Sequence, residues 1–254
     1  MTGGLLGRRR RRRGRSSRRR RLRRLGLKVL VPALGIGLVV LLTVRWLEAP
    51  PGDPEDACAV FREKPSWYGS LRESEETWGT PKAVQLAILF QESGFQARVR
   101  PPRRKILWIL PWRRPSSAYG YGQILDGTWR DYQRLRDRPG ARRSSFGDVA
   151  DFVGWYCNQI HRGTGIEKTD AYGLYLAYHE GPGGYSRGSH RQKAWLLETA
   201  HRVAARARRY QGQLAGCEDS LRRALLRRRL IQTACLLLLL AAGGLLLRRR
   251  FRQS

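Results

Sequence analysis

Hydrophobic positions along the chain fall into three kinds of run. The shortest organises the rest: from Ala83 to Phe90 every residue except Gln85 is apolar. Apolar positions there cover all sides of a helix, so the helix must be buried or lie in a membrane. About ten residues are too few to span a bilayer. The segment Thr80–Glu92 therefore reads as a core helix, with Thr80 able to cap it and Pro81 suited to its first turn. Gly94 follows as a stop. Around it, apolar residues at helical spacing predict further helices over Ser70–Trp78, Gly127–Arg136, Asp148–His161, Lys168–His179 and Gln192–Gln211. Asp148–His161 carries the clearest stripe, with Val149, Phe152, Val153, Tyr156 and Ile160. No alternating strand, Asn-Gly hairpin or internal repeat is evident, and the fold class is mainly α.

Two longer runs flank this region. Val29 to Val44 is sixteen uncharged residues between Lys28 and Arg45. Snorkelling of those two cations, with Leu27, Trp46 and Leu47, brings it near the roughly 20 residues a spanning helix needs. No small-x-small cleavage site follows before Pro50-Pro51 and no lipobox precedes Cys58, so an uncleaved anchor is expected over 29–47. Leu230 to Leu247 is eighteen residues interrupted only by Gln232 and Thr233. It reads as a second transmembrane helix, with an interfacial helix as the alternative. The implied organisation is an Arg-rich cytoplasmic tail 1–28, an anchor 29–47, a Pro-rich linker 48–57 and a domain 58–217. A basic linker 218–229, the second span 230–247 and a basic tail 248–254 complete it.

Charge changes the picture through its placement. The formal net charge is +30, yet residues 50–220 hold 26 Lys/Arg and 19 Asp/Glu, a net of +7. The excess sits in the ends, including thirteen arginines between Arg8 and Arg24. This fits a positive-inside anchor that puts the domain outside the cytoplasm, periplasmic if the cell is bacterial. It argues against a nucleic-acid binder, since the central part lacks a basic groove with stacking aromatics. Arginines on both sides of 230–247 leave that segment's direction open. An oxidising compartment makes a Cys58–Cys217 disulfide the expectation. Cys157 reads as a buried small hydrophobe and Cys235 falls in the apolar run. No Cys/His cluster has metal-ligand spacing, so no metal or other cofactor is expected.

Between Gln96 and Ser117 lies a Pro-broken loop with six apolar residues, including Trp108 and Trp112, between two basic clusters. It suits either a cover over the core or an interfacial contact beside the anchors.

Candidate chemistry sits in three short segments: Gln91-Glu92-Ser93-Gly94-Phe95, Ser117-Ala118-Tyr119-Gly120-Tyr121-Gly122-Gln123-Ile124, and Ala177-Tyr178-His179-Glu180-Gly181-Pro182-Gly183-Gly184-Tyr185. A carboxylate at the end of a buried helix should resist ionisation, which suits a general acid near neutral pH. The Gly-rich second segment lets backbone approach a ligand, and Gln123 can donate and accept toward an amide or sugar hydroxyl.

Together the three segments resemble the soluble lytic transglycosylase (SLT) domain of the lysozyme-like superfamily. The match lies in Glu92-Ser93, Gly120 to Ile124, and Ala177-Tyr178 with Gly181-Pro182-Gly183. His179 stands where that family has Asn, Glu180 replaces a small residue, and the loop between the first two segments is longer. The resemblance implies a lysozyme-like fold and cleavage of the β-1,4 bond between N-acetylmuramic acid and N-acetylglucosamine in peptidoglycan. Glu92 would act first as acid and then as base for the muramoyl 6-hydroxyl, forming a 1,6-anhydro product. It further implies that Tyr178 orients Glu92 and that Gln123 and the Gly122 backbone bind glycan. Ser93, Ile124 and His179 are further substrate-contact candidates. Hydrolases of this kind use two carboxylates, so Glu180, as a second one, would make a muramidase. A non-catalytic glycan-binding scaffold in the cell-wall machinery is the third reading. The partners expected are peptidoglycan strands and a membrane, with partner proteins unspecified.

Overall fold

A computed structural model describes residues 34–44, 48–103, 105–106, 110–111 and 114–251, with the side chains of 105–106, 110–111, 238–239 and 241–251 outside that description. The chain divides into two units, Met1–Ala49 and Pro50–Ser254. In the first, residues 34–44 form an exposed helix, α1.

The second unit is helical throughout its core. Asp56 accepts from the Cys58 and Ala59 N–H groups and starts α2 (Ala57–Glu63). Pro65 opens α3 (Pro65–Trp78), which ends on Gly79 at φ 76°. The core helix is α4 (Lys82–Ser93), buried from Lys82 to Leu89 and closed by Gly94 at φ 58°. The expected cap is not made. Pro81, extended at ψ 137°, takes the cap position, and the Thr80 carbonyl instead accepts from the Gln85 side chain at 2.8 Å. Gln85 also accepts from the Ser74 hydroxyl at 2.9 Å, so the one polar residue of the apolar run is satisfied in the interior.

After α4 the chain makes a small antiparallel hairpin, β1 (Lys105–Ile106) with β2 (Leu110–Pro111), in the region read as a loop without strands. The expectations for Trp108 and Trp112 lie outside the described residues. Then come α5 (Asp126–Leu135), α6 (Phe146–Thr164), α7 (Ala171–Ser186) and α8 (Ala194–Phe251). Helices α3, α6 and α8 pack around α4, and α7 lies between α6 and α8. Buried Lys82, at the start of α4, bonds Glu75 of α3 at 2.5 Å and Glu218 of α8 at 3.0 Å, joining three helices at one charge. Cys58 in α2 is disulfide-bonded to Cys217 in α8, with Cα atoms 6.2 Å apart.

Helix α8 runs for 58 residues, about 87 Å at 1.5 Å per residue, far beyond the expected end at Gln211. Its inner face is buried as far as Leu225. Among the described residues no helix is long and apolar enough to cross a membrane. The two flanking transmembrane helices expected from sequence are thus not seen in the described part. Of 29–47, residues 29–33 and 45–47 lie outside it. The backbone of 230–247 continues α8 without a break, while side chains 238–239 and 241–247 lie outside it.

Candidate active site

Glu92 is the penultimate residue of α4, where the buried helix meets a pocket of about 470 Å³. Each wall comes from a different element. Ser116, Ala118 and Gln123 to Leu125 come from the segment before α5, and Thr128 from its first turn. Phe152 and Tyr156 come from α6, and Tyr178 to Gly181 from α7. The pocket therefore unites Glu92, Gln123, Ile124, Tyr178, His179 and Glu180, drawn from all three sequence segments.

Burial pushes the Glu92 carboxyl up to about 7, and the Tyr175 hydroxyl, in hydrogen-bonding reach, partly offsets this by favouring the ionised form. No cation contributes. Tyr178, expected to orient Glu92, shares the pocket with it but makes its own hydrogen bond elsewhere. Its hydroxyl donates to the Gly122 carbonyl at 2.8 Å, while the side-chain hydrogen bond to Glu92 belongs to Tyr175, one turn earlier on α7; the Glu92 charge still acts on both phenols and helps to raise them. Tyr178 stays beside the acid as pocket wall, edge to face with Tyr156 at 5.5 Å.

Gly122 is not among the residues that line the pocket, and its carbonyl accepts from Tyr178. A Cβ at Gly122 would lie 2.8 Å from that hydroxyl, so only glycine admits the contact. Gln123 adopts φ 45°, the left-handed region, which costs a non-glycine residue about 1 kcal/mol or more. Its own amide secures the turn, Nε2 donating to Val99 O at 3.1 Å and Gly120 O at 2.9 Å. Gln123 itself lines the pocket. Arg143, unmarked in the sequence reading, pins the same segment. It donates to the carbonyls of Ser117 (3.1 Å) and Ile124 (2.6 Å) and pairs with Asp126 at 2.6 Å.

Ser93 is not a pocket residue. It is buried, and its hydroxyl donates back to Leu89 O at 3.2 Å within α4, because the helix continues through it and turns the side chain inward.

Glu180 lines the pocket in a different state. Its side chain is 6 % exposed, and Oε1 accepts from Lys193 Nζ at 2.7 Å and meets His179 Nδ1 at 3.0 Å. Oε2 accepts from the Ser189 hydroxyl. Burial opposes its ionisation, but the bonds from Lys193, Ser189 and His179 outweigh it and bring the carboxyl down to about 2. Beyond it the helix does not simply end: Gly181, at φ 74°, breaks α7, which resumes at Pro182. Among the described residues no cluster of His, Cys, Asp and Glu is arranged to hold a metal ion.

A family model for the transglycosylase SLT domain matches residues 34–217. The chain belongs to that family. Its members are peptidoglycan lytic transglycosylases, which are lyases, and this chain is an enzyme of that kind. The SLT match takes in all three site segments and begins ahead of the expected domain start, within α1. No curated protein matches the chain.

Proposed function

We propose that this SLT protein cleaves the N-acetylmuramic acid–β-1,4–N-acetylglucosamine bond without water, with Glu92 as the single acid and then base. The observation that carries the proposal is one carboxyl with no cation beside it, poised at about 7, at the end of a buried helix in the pocket. Protonated Glu92 gives its proton to the glycosidic oxygen as the C1–O bond breaks. The resulting carboxylate takes the proton of the muramoyl 6-hydroxyl, whose oxygen bonds to C1 and closes the 1,6-anhydro ring. The proton returns to Glu92 and no net water is consumed. A pKa near neutral serves both halves of that cycle.

Glu180 does not favour the muramidase alternative. An ionised carboxylate has the charge of a nucleophile, but both oxygens of Glu180 already accept bonds from Lys193, His179 and Ser189. Purified peptidoglycan digested with the wild-type protein should yield muropeptides with anhydro ends by mass spectrometry, and Glu92→Gln should yield almost none. Reducing muramic ends from the wild type would reject the transglycosylase chemistry.

We further propose a membrane-bound enzyme with its pocket on the outer side of the bacterial inner membrane. The apolar runs 29–44 and 230–247 and the Arg-rich N-terminal tail support that reading. Alkaline extraction of membranes tests it: an anchored protein stays in the pellet, and release into the supernatant would reject anchoring.

A further inference from the structure

The wall of the Glu92 pocket continues past His179. The His179 imidazole meets the Trp195 indole edge to face, with ring centroids 5.2 Å apart and planes at 79°. Trp195 is 56 % exposed and is the one exposed tryptophan among the described residues; Trp67, Trp129 and Trp155 are buried and Trp78 is half-buried. A large ring left in water beside a pocket-lining side chain is an unused apolar face.

That ring is held in place. Trp195 stands in the first turn of α8, and the next residue, Leu196, is fully buried. Lys193, immediately before the helix, bonds Glu180 Oε1, the same oxygen that meets His179. One carboxylate thus ties the pocket rim on α7 to the start of α8, with the two rings carried on either side of the tie. The Leu196 N–H donates to Lys193 O at 2.8 Å and carries the anchor into the helix. A surface fixed in this way can receive a ligand with little ordering of its own.

The geometry points to a saccharide-stacking subsite on Trp195, taking a pyranose ring of a glycan strand that leaves the Glu92 pocket past His179. The C–H-rich face of a pyranose is flat and uncharged, which matches an indole. Lys193, next to the platform in sequence, is already paired with Glu180. A single ring is also far smaller than the roughly 800 Å² per partner that a stable protein interface uses. The subsite rests on the reading of the Glu92 pocket as a glycan site and lengthens it, so that longer strands bind better than short fragments.

Calorimetric titration of the full chain in detergent, in a Glu92→Gln background, tests this with the dimer and the tetramer of N-acetylglucosamine. Trp195→Ala should weaken tetramer binding about five- to tenfold and leave dimer binding unchanged. Trp195→Tyr, which keeps a flat ring, should recover most of the loss. Unchanged tetramer affinity in Trp195→Ala, or equal loss of both sugars, would overturn the subsite while leaving the pocket reading in place. If the protein with Trp195 intact bound neither sugar, the pocket reading would fall and the subsite with it.

Discussion

Glu92 on the floor of the pocket and Glu180 on its rim are the same side chain in opposite states. At Glu92 water is replaced by helix, aromatic rings and one tyrosine hydroxyl, so ionisation is resisted up to about 7. At Glu180 water is replaced by an ammonium, an imidazole and a hydroxyl, and the carboxyl ionises at about 2. Burial acts against the charge in both; the difference lies in what faces the oxygens. Under the proposed chemistry, the carboxyl that exchanges a proton is the one left without a cation, and the one tied into the wall is given one. Pairs of acids whose surroundings separate their pKa values mark distinct roles within one site.

The largest test of the contrast is Glu92→Gln. Activity on peptidoglycan should fall about 10²- to 10⁴-fold, the range for a lost general acid–base group. The same variant should be more stable than wild type at neutral and alkaline pH. In the folded state Glu92 holds its proton to about 7, whereas unfolded it releases it near 4.5. Between those values the folded protein binds more protons, so wild-type stability falls as pH rises. The penalty is absent below about 4.5 and reaches about 3 kcal/mol above 7, which Glu92→Gln would relieve. Denaturant midpoints of both proteins at pH 4 and pH 8 check this; an equal difference at the two would show that Glu92 is not the buried acid described. The pH dependence of kcat/KM should likewise fall through about 7 on the alkaline side in the wild type.

Glu180→Gln should do the reverse. It leaves Lys193 and His179 without their shared anion and should destabilise the protein by about 1–3 kcal/mol at neutral pH. Because the folded pKa is depressed, that contribution is full above about 4.5 and is lost as pH falls toward 2. Activity should decline mainly through KM, as the rim loosens. Loss of kcat comparable to that of Glu92→Gln would give Glu180 a chemical role after all.

How much of this was readable beforehand differs residue by residue. The buried helix α4 followed from an apolar run bounded by Pro81 and Gly94, because that signal is local. Its cap was misplaced by one residue: Pro81 holds the cap position, and the Thr80 side chain is turned toward Cys157, a contact visible only in the fold. The length of α8 was missed because the Arg-rich stretch after Gln211 breaks the apolar stripe. Arg, Leu, Ala and Gln are nevertheless good helix formers and no proline intervenes. The pocket's position could be read from three segments. Its non-local ties could not: Arg143 to Ile124 and Lys193 to Glu180 each join parts of the chain that only the fold brings together. Phe152 and Tyr156 were legible as a core stripe. That the end of this stripe also walls the pocket depended on where α4 ends.

The tyrosine assignment is the finest of these distinctions and gives the smallest effect. Tyr175 and Tyr178 are three residues apart on α7 and share a face, so spacing alone does not say which one serves Glu92. In the fold, Tyr178 feels the Glu92 charge but donates to Gly122, and it is the Tyr175 bond that favours the ionised acid. Tyr175→Phe removes a bond to the charged form, so the alkaline fall in kcat/KM should move upward by roughly 0.5–1 pH unit. Tyr178→Phe should leave that fall in place and instead raise KM, since the Gly122 turn loses its tether. Full pH–rate profiles of both variants separate the two outcomes. If Tyr178→Phe moved the profile and Tyr175→Phe did not, the roles assigned to the two hydroxyls would be exchanged.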